Sequence, residues 1–156
     1  MKREVIRVEP ISSWLERWKA PASAVTRAGN MIFVSGLPPF DPATGEIAAG
    51  ASIERQSELV MEQLRECLEA AGASFDNVMK CNIFCTSAKH FATFNAIYRK
   101  YFADDLPARI FVCIPEWTGP FDIEIDCIAR LRSSPVPTID SANACSQRAD
   151  SAISGR

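Results

Sequence analysis

The stretch DIEIDCIA, residues 122–129, alternates between acidic and apolar side chains with a period of two residues. Successive side chains of a β-strand point to opposite faces of its sheet. The pattern therefore predicts a strand whose odd-numbered residues, Ile123 to Ala129, are buried. Its other face carries the carboxylates of Asp122, Glu124 and Asp126, which repel one another. We expect cations or water on that face to relieve the repulsion.

The segment before it, residues 109–114, is predicted to be a strand that begins with a cation, Arg109. If the two strands pair as a hairpin, Arg109 lies beside the acidic row. The spacing leaves two interpretations open. Arg109 either neutralises Glu124 or Asp126 in a structural ion pair, or its rigid fork binds the carboxylate of a ligand. In the second case Glu124 orients or activates a water molecule.

The rest of the chain predicts an α+β domain, with two helices packed on one face of a single mixed sheet. The apolar run at residues 31–36 predicts a strand buried on both faces, and Gly29-Asn30 before it predicts a hairpin turn. Ser52 is the expected N-cap of the first long helix. Further strands are predicted at residues 1–9, 25–27 and 78–86, and helices at 53–71 and 89–102, with a short helix or turn within 11–22.

Composition predicts one domain, residues 1–132, followed by a disordered tail at 133–156 that is rich in Ser, Ala, Pro and Asp. The net charge of −2, from 17 basic and 19 acidic residues, gives no electrostatic footprint for nucleic acid or an anionic membrane. The sequence has neither a signal-like apolar region nor an apolar span of membrane length, which predicts a cytoplasmic protein. Its six cysteines are then expected to be free thiols.

Three stretches together resemble the Rid family, the YjgF-type reactive intermediate or imine deaminases. They occur in order and with gaps like those of the family, over roughly residues 20–131. They are Gly29-Asn30 to Ser35-Gly36 with Pro39 and Asp41 to Glu46, Phe91-Ala92 to Asn95 and Tyr98, and Pro107-Ala108-Arg109 with Ile123 to Ala129.

The resemblance implies a chorismate-mutase-like fold, in which three subunits pack their sheets into a central barrel with sites in the clefts between subunits. It implies hydrolysis of reactive enamines and imines, such as 2-aminoacrylate, to 2-keto acids and ammonia, without a metal or organic cofactor. By the same resemblance Arg109 binds the substrate carboxylate and Glu124 is associated with water. Ser35 and Asn95 fall on site positions, although a Ser at a strand end often only satisfies backbone groups.

Two positions depart from the family pattern. Ala22 stands where these deaminases often have Tyr, and Phe111 stands where they often have Cys. Phe111 makes the expected pocket more apolar and changes its shape. Trp117 is a candidate for the rim of the same cleft, although burial is the commoner fate of a Trp.

These departures keep a second function open, a non-catalytic protein that binds or senses a small carboxylate in the same cleft. A third class, an RNA-acting inhibitor of translation, is disfavoured by the near-neutral charge.

Overall fold

The computed structural model describes residues 2–102 and 104–131, and within these ranges it contains one six-stranded sheet and three α-helices. The strands are β1 (Glu4–Ile6), β2 (Val25–Ala28), β3 (Met31–Val34), β4 (Val78–Cys85), β5 (Ala108–Cys113) and β6 (Ile123–Arg130). The helices are α1 (Ile11–Arg17), α2 (Ile53–Ala70) and α3 (Phe91–Tyr98). The predicted mixed α+β architecture is therefore confirmed, while the predicted tail at 133–156 lies outside the described residues.

The strand order across the sheet is β1-β2-β3-β6-β4-β5. Neighbouring strands are antiparallel except for β4 and β5, which are parallel and joined through α3. The predicted hairpin between β2 and β3 is confirmed, and its turn residue Gly29 has a φ of 61°. Glycine adopts this left-handed conformation without the steric cost that a side chain would bring.

Helices α2 and α3 cover one face of the sheet. Ser52 caps α2 as expected, because its hydroxyl accepts a hydrogen bond from the backbone N–H of Arg55. The apolar side of α2, including Met61, Leu64 and Leu68, is buried. Beneath it lie the inward-facing residues of the sheet, among them Ile32, Ile83, Ile123, Ile125 and Cys127.

Among the described residues, helices cover only one face of the sheet, which corrects the prediction for β3. Ile32 and Val34 are buried, but Phe33 between them is 42% exposed. On the same open face, Ile110 of the edge strand β5 is 48% exposed. The uninterrupted apolar run of β3 therefore supplies both a core face and an exposed apolar face.

The hairpin considered for β5 and β6 does not form, since β4 lies between them. Residues 123–129 of β6 pair along β4, and the crossover through α3 places β5 on the other edge of β4 in the parallel direction. Arg109 is consequently in register with Cys81, which is in register with Cys127. Both cysteines are buried under the helices, so Arg109 lies on the helix-covered face and not beside the acidic row.

Asp122 does not share the open face with Glu124 and Asp126, although the sequence pattern predicted that it would. It precedes β6, and its carboxylate accepts hydrogen bonds from Thr86 Oγ1 at 2.6 Å and Gln56 Nε2 at 3.0 Å. Its backbone N–H donates to Gln56 Oε1 at 2.7 Å, and Gln56 is buried. Asp122 thus ties the start of α2 to the end of β4. Of the three predicted carboxylates, Glu124 and Asp126 remain on the open face.

The cysteines of the described part of the chain are free thiols, as expected; Cys145 lies outside it. Cys67, Cys81 and Cys127 are buried, and burial raises the pKa of each thiol, to about 11 for Cys81. In residues 2–102 and 104–131, no helix is long and apolar enough to cross a membrane.

Candidate functional site

Arg109 contacts three residues of α3. Its Nη2 donates to Asn95 Oδ1 at 2.6 Å. Its Cζ lies 4.9 Å from the ring centroid of Tyr98 and 5.6 Å from that of Phe91. A guanidinium near aromatic rings is stabilised by their quadrupoles, and the amide oxygen fixes one branch of its fork. Asn95 therefore acts on Arg109 by orienting it.

The guanidinium of Arg109 forms no ion pair with any Asp or Glu among the described residues. Within one copy, the interpretation of Arg109 as a structural partner of Glu124 or Asp126 is thus wrong. An arginine carries five N–H donors, and the side-chain hydrogen bond to Asn95 uses one of them. The remaining donors form no hydrogen bond with the residues that the structure describes, and they can bind an anion such as a carboxylate.

A cavity of about 290 Å³ adjoins Arg109 and opens to solvent. It is lined by Asn95, Tyr98, Arg99, Leu106, Pro107 and Arg109. Phe111 shares the face of Arg109 but does not line this cavity. Its ring meets that of Phe91 edge-on, with centroids 5.2 Å apart, and so supports the aromatic ring that contacts Arg109.

Glu124 lies on the open face of the sheet, against the backbone of Gly36. A Cβ placed on Gly36 would lie 2.7 Å from Glu124 Oε2, closer than real Cβ contacts allow. The absence of a side chain at residue 36 therefore makes room for the carboxyl group. Across the sheet, Glu124 is in register with Phe84.

The pKa of Glu124 is raised to about 7, first by burial and then by the negative charge of Asp126. Burial also raises the pKa of Asp126, against the hydrogen bond that its Oδ1 accepts from Asn82 Nδ2 at 2.6 Å. Since a general acid–base group works best with a pKa near the ambient pH, Glu124 is suited to exchange protons at neutrality.

Arg109 and Glu124 cannot serve one ligand within a single chain. Arg109 is two strands from β6 and in register with Cys127, three residues beyond Glu124. The usual spacing and rise of strands put their Cα atoms about 14 Å apart. Their side chains also leave opposite faces of the sheet. A combined site therefore needs two copies of the chain.

The other predicted site residues divide between these two places. Asn95 contacts Arg109, whereas Ser35 precedes Gly36 on the Glu124 side. The Ser35 hydroxyl donates to the backbone carbonyl of Ser23 at 2.7 Å, which supports the structural interpretation of this residue. Trp117 packs edge-on against Phe84, the register partner of Glu124, with centroids 6.5 Å apart.

The sequence analysis did not identify Gly36 as a neighbour of Glu124, nor Tyr98 and Arg99 as lining residues of the Arg109 cavity. Gly36 directly follows a predicted site residue, and Arg99 lies four residues after Asn95, one helical turn away. In the described ranges, no group of three or more His, Cys, Asp or Glu residues is placed to hold a metal ion.

Comparison with known proteins gives one consistent family. The sequence model of the family described as Endoribonuclease L-PSP matches residues 17–131. The chain is 35% identical over 131 residues to Reactive Intermediate Deaminase A of Arabidopsis thaliana, covering 84% of this chain and 67% of that protein.

Solved structures agree with this match. The YjgF gene product of E. coli is 30% identical, with a TM-score of 0.73 over 83% of this chain and 99% of that chain. E. coli TdcF, solved with bound serine, is 31% identical, with a TM-score of 0.67 over 72% of this chain and 90% of that chain.

We predict that the Glu124 carboxyl titrates near pH 7, and that Asp126→Asn lowers its pKa by removing the neighbouring charge. Carboxyl-carbon NMR of the protein labelled at glutamate measures both values. Glu69→Gln, at an exposed position of α2, identifies an unrelated resonance and should leave that of Glu124 unchanged. A Glu124 midpoint near 4.5 in both the wild type and Asp126→Asn would contradict the raised pKa.

Proposed function

Since this chain belongs to the Rid (YjgF-type, Endoribonuclease L-PSP) family, we propose that it is a hydrolytic deaminase of reactive enamines and imines. Its substrates would be small carboxylates of the 2-aminoacrylate type, and its products 2-keto acids and ammonia. The observation that carries the proposal is the arginine fork of Arg109, oriented by Asn95 and without a carboxylate partner among the described residues, beside an open cavity.

A small carboxylate fits this place on chemical grounds. Arginine binds carboxylates in a bidentate manner, and the aromatic contacts of Arg109 keep its guanidinium plane fixed. The related protein TdcF was solved with bound serine, itself a small 2-amino carboxylate. The deaminase name of the Arabidopsis relative agrees with the proposed reaction type.

The complete site would be formed between subunits of a homotrimer, with Arg109 from one copy and Glu124 from the next. The opposite faces of the two residues support this arrangement. So do the exposed apolar side chains Phe33 and Ile110 on the open face, which a second copy would cover. Action in the cytoplasm remains a prediction from the sequence.

In the proposed reaction an enamine first takes a proton at carbon and becomes its iminium ion. Arg109 holds the carboxylate. The ionised Glu124 of the neighbouring copy accepts a proton from a water molecule as the water oxygen bonds to the iminium carbon. That proton passes from Glu124 to nitrogen, and the carbon–nitrogen bond breaks. Ammonia leaves as Glu124 takes the proton of the new hydroxyl group and the carbonyl forms. One water molecule is consumed for each ammonia released, with no change in oxidation state.

The second candidate is binding without turnover, favoured by the environment of Phe111. Its ring is packed among the aromatic rings of Phe91 and Phe94, so this position of β5 supplies no thiol. The position of Ala22 likewise supplies no phenol. The deaminase and the binding protein would both use the guanidinium of Arg109 to hold a carboxylate. A measurement of substrate turnover distinguishes between the two functions.

We predict that the wild type accelerates pyruvate formation from 2-aminoacrylate generated by a pyridoxal-phosphate-dependent dehydratase, and that Arg109→Ala lowers this acceleration at least about 100-fold. Arg55→Ala removes an exposed arginine of α2 and should match the wild type. Equal acceleration by Arg109→Ala would contradict the deaminase proposal. Absence of acceleration by the wild type, with retained binding of 2-keto acids, would favour the binding protein.

We predict that Gly36→Ala lowers the same activity about 10-fold or more while leaving the midpoint of urea unfolding nearly unchanged. The added methyl group displaces the flexible end of Glu124 rather than the backbone, so the fold survives and the carboxyl group moves. Gly50→Ala, at a glycine with open space around it but a φ of 76°, is the contrasting variant. It should lose stability and keep activity. Full activity in Gly36→Ala would argue against a role for the observed Glu124 position.

A further inference from the structure

A second arginine, Arg99, lines the cavity beside Arg109. Its backbone N–H donates to the carbonyl of Asn95 at 3.1 Å, so the helical spacing continues through this residue. Residues four apart on a helix lie on the same side, with Cβ atoms about 5–6 Å apart. Since Asn95 contacts the Arg109 guanidinium, Arg99 extends from the next turn over the same cavity.

The described residues that line the cavity carry positive charge and include no acidic side chain. Its lining consists of two arginines, an amide, a tyrosine and two apolar residues, Leu106 and Pro107. Neither arginine forms an ion pair with a described residue. By contrast Lys100, the next residue along the chain, forms an ion pair with Glu58, with 3.9 Å between Lys100 Nζ and Glu58 Oε1. Two guanidinium groups around one small cavity favour a ligand that brings two negative charges.

We propose that Arg99 binds a second carboxylate of the substrate, so that the preferred substrates are imines or enamines of dicarboxylic 2-amino acids. This inference rests on the proposed deaminase function. Arg109 holds the carboxylate next to the reacting carbon, and Arg99 attracts the carboxylate at the far end of the carbon chain. Leu106 and Pro107 contact the carbons between them. The distal carboxylate takes no part in bond making or breaking.

The size and exposure of the site fit this assignment. A cavity of about 290 Å³ is small for a ligand pocket and suits a short metabolite rather than a nucleotide. Arg99 is exposed, so its attraction to an anion is partly screened by solvent and salt. We therefore expect its effect mainly on KM and expect that effect to weaken as ionic strength rises.

The test compares two imines that differ by one carboxylate. Flavin-dependent oxidases generate them in situ from D-aspartate and from D-alanine, and ammonia release above the spontaneous rate gives kcat/KM for each. The variants are Arg99→Gln, Arg99→Lys and Lys100→Gln. The last is the matched control, since it removes one positive charge one residue away, from a side chain that does not line the cavity.

We expect the wild type to prefer the dicarboxylic imine, and Arg99→Gln to reduce the ratio of the two kcat/KM values about 10-fold, through KM. Arg99→Lys should retain part of the preference, and Lys100→Gln should retain all of it. An unchanged ratio in Arg99→Gln, or an equal loss in Lys100→Gln, would overturn the assignment of Arg99.

Failure of the deaminase function would look different, because the wild type would then hydrolyse neither imine. In that case calorimetry with 2-oxoglutarate and 2-oxobutanoate still tests the cavity. Tighter binding of the dicarboxylate that is lost in Arg99→Gln supports the assignment. Equal affinities for the two acids in the wild type would overturn it.

Discussion

The pairing of β4 with both β5 and β6 decides where each candidate residue lies. Strand β4 has two edges; β6 occupies one in the antiparallel direction and β5 the other in the parallel direction. This register places Arg109 beneath α3 and Glu124 on the uncovered face. The side chains of Arg109 and Glu124 point to opposite faces of the sheet, with the backbone between them. No rotamer change can therefore bring the guanidinium and the carboxyl group together. A site that uses both groups would therefore need residues from two copies of the chain.

Each half of such a site is preorganised by its own chain. The amide of Asn95 and two aromatic rings hold the Arg109 fork before any ligand arrives, which reduces the entropy lost on binding. The backbone of Gly36 leaves space for the Glu124 carboxyl, and burial raises its pKa to about 7. A neighbouring copy would bury Glu124 further, which raises the pKa of the carboxyl group. The positive charge of Arg109 from that copy would lower the same pKa.

Local sequence patterns predicted the local structure well. The two-residue alternation of β6, the Ser52 cap and the Gly29 turn follow from short-range geometry, and each is confirmed. Strand order is a long-range property, and the hairpin considered for β5 and β6 does not form because β4, distant in sequence, pairs with both. The prediction for Asp122 failed for a similar reason, because its hydrogen-bond partner Gln56 lies in α2, far away in the sequence.

The candidate site was predictable as a set of residues but not as an arrangement. Family resemblance pointed to Arg109, Glu124 and Asn95, and the structure places Asn95 on Arg109. The family resemblance could not show that the Ser35 hydroxyl donates a hydrogen bond to the backbone carbonyl of Ser23, or that Arg99 adjoins the Arg109 cavity. Both depend on which elements pack together, and a single strand or helix pattern does not contain that information.

A subunit-mixing experiment tests most directly the claim that Arg109 and Glu124 act together across a subunit boundary. Arg109→Ala and Glu124→Gln are each expected to lose activity at least about 100-fold. Unfolded together in equal amounts and refolded, they should form trimers in which about one boundary in four joins an intact Arg109 to an intact Glu124, restoring about a quarter of wild-type activity. Mixed trimers, verified by mass spectrometry, that remain as inactive as the separate variants would contradict the shared site.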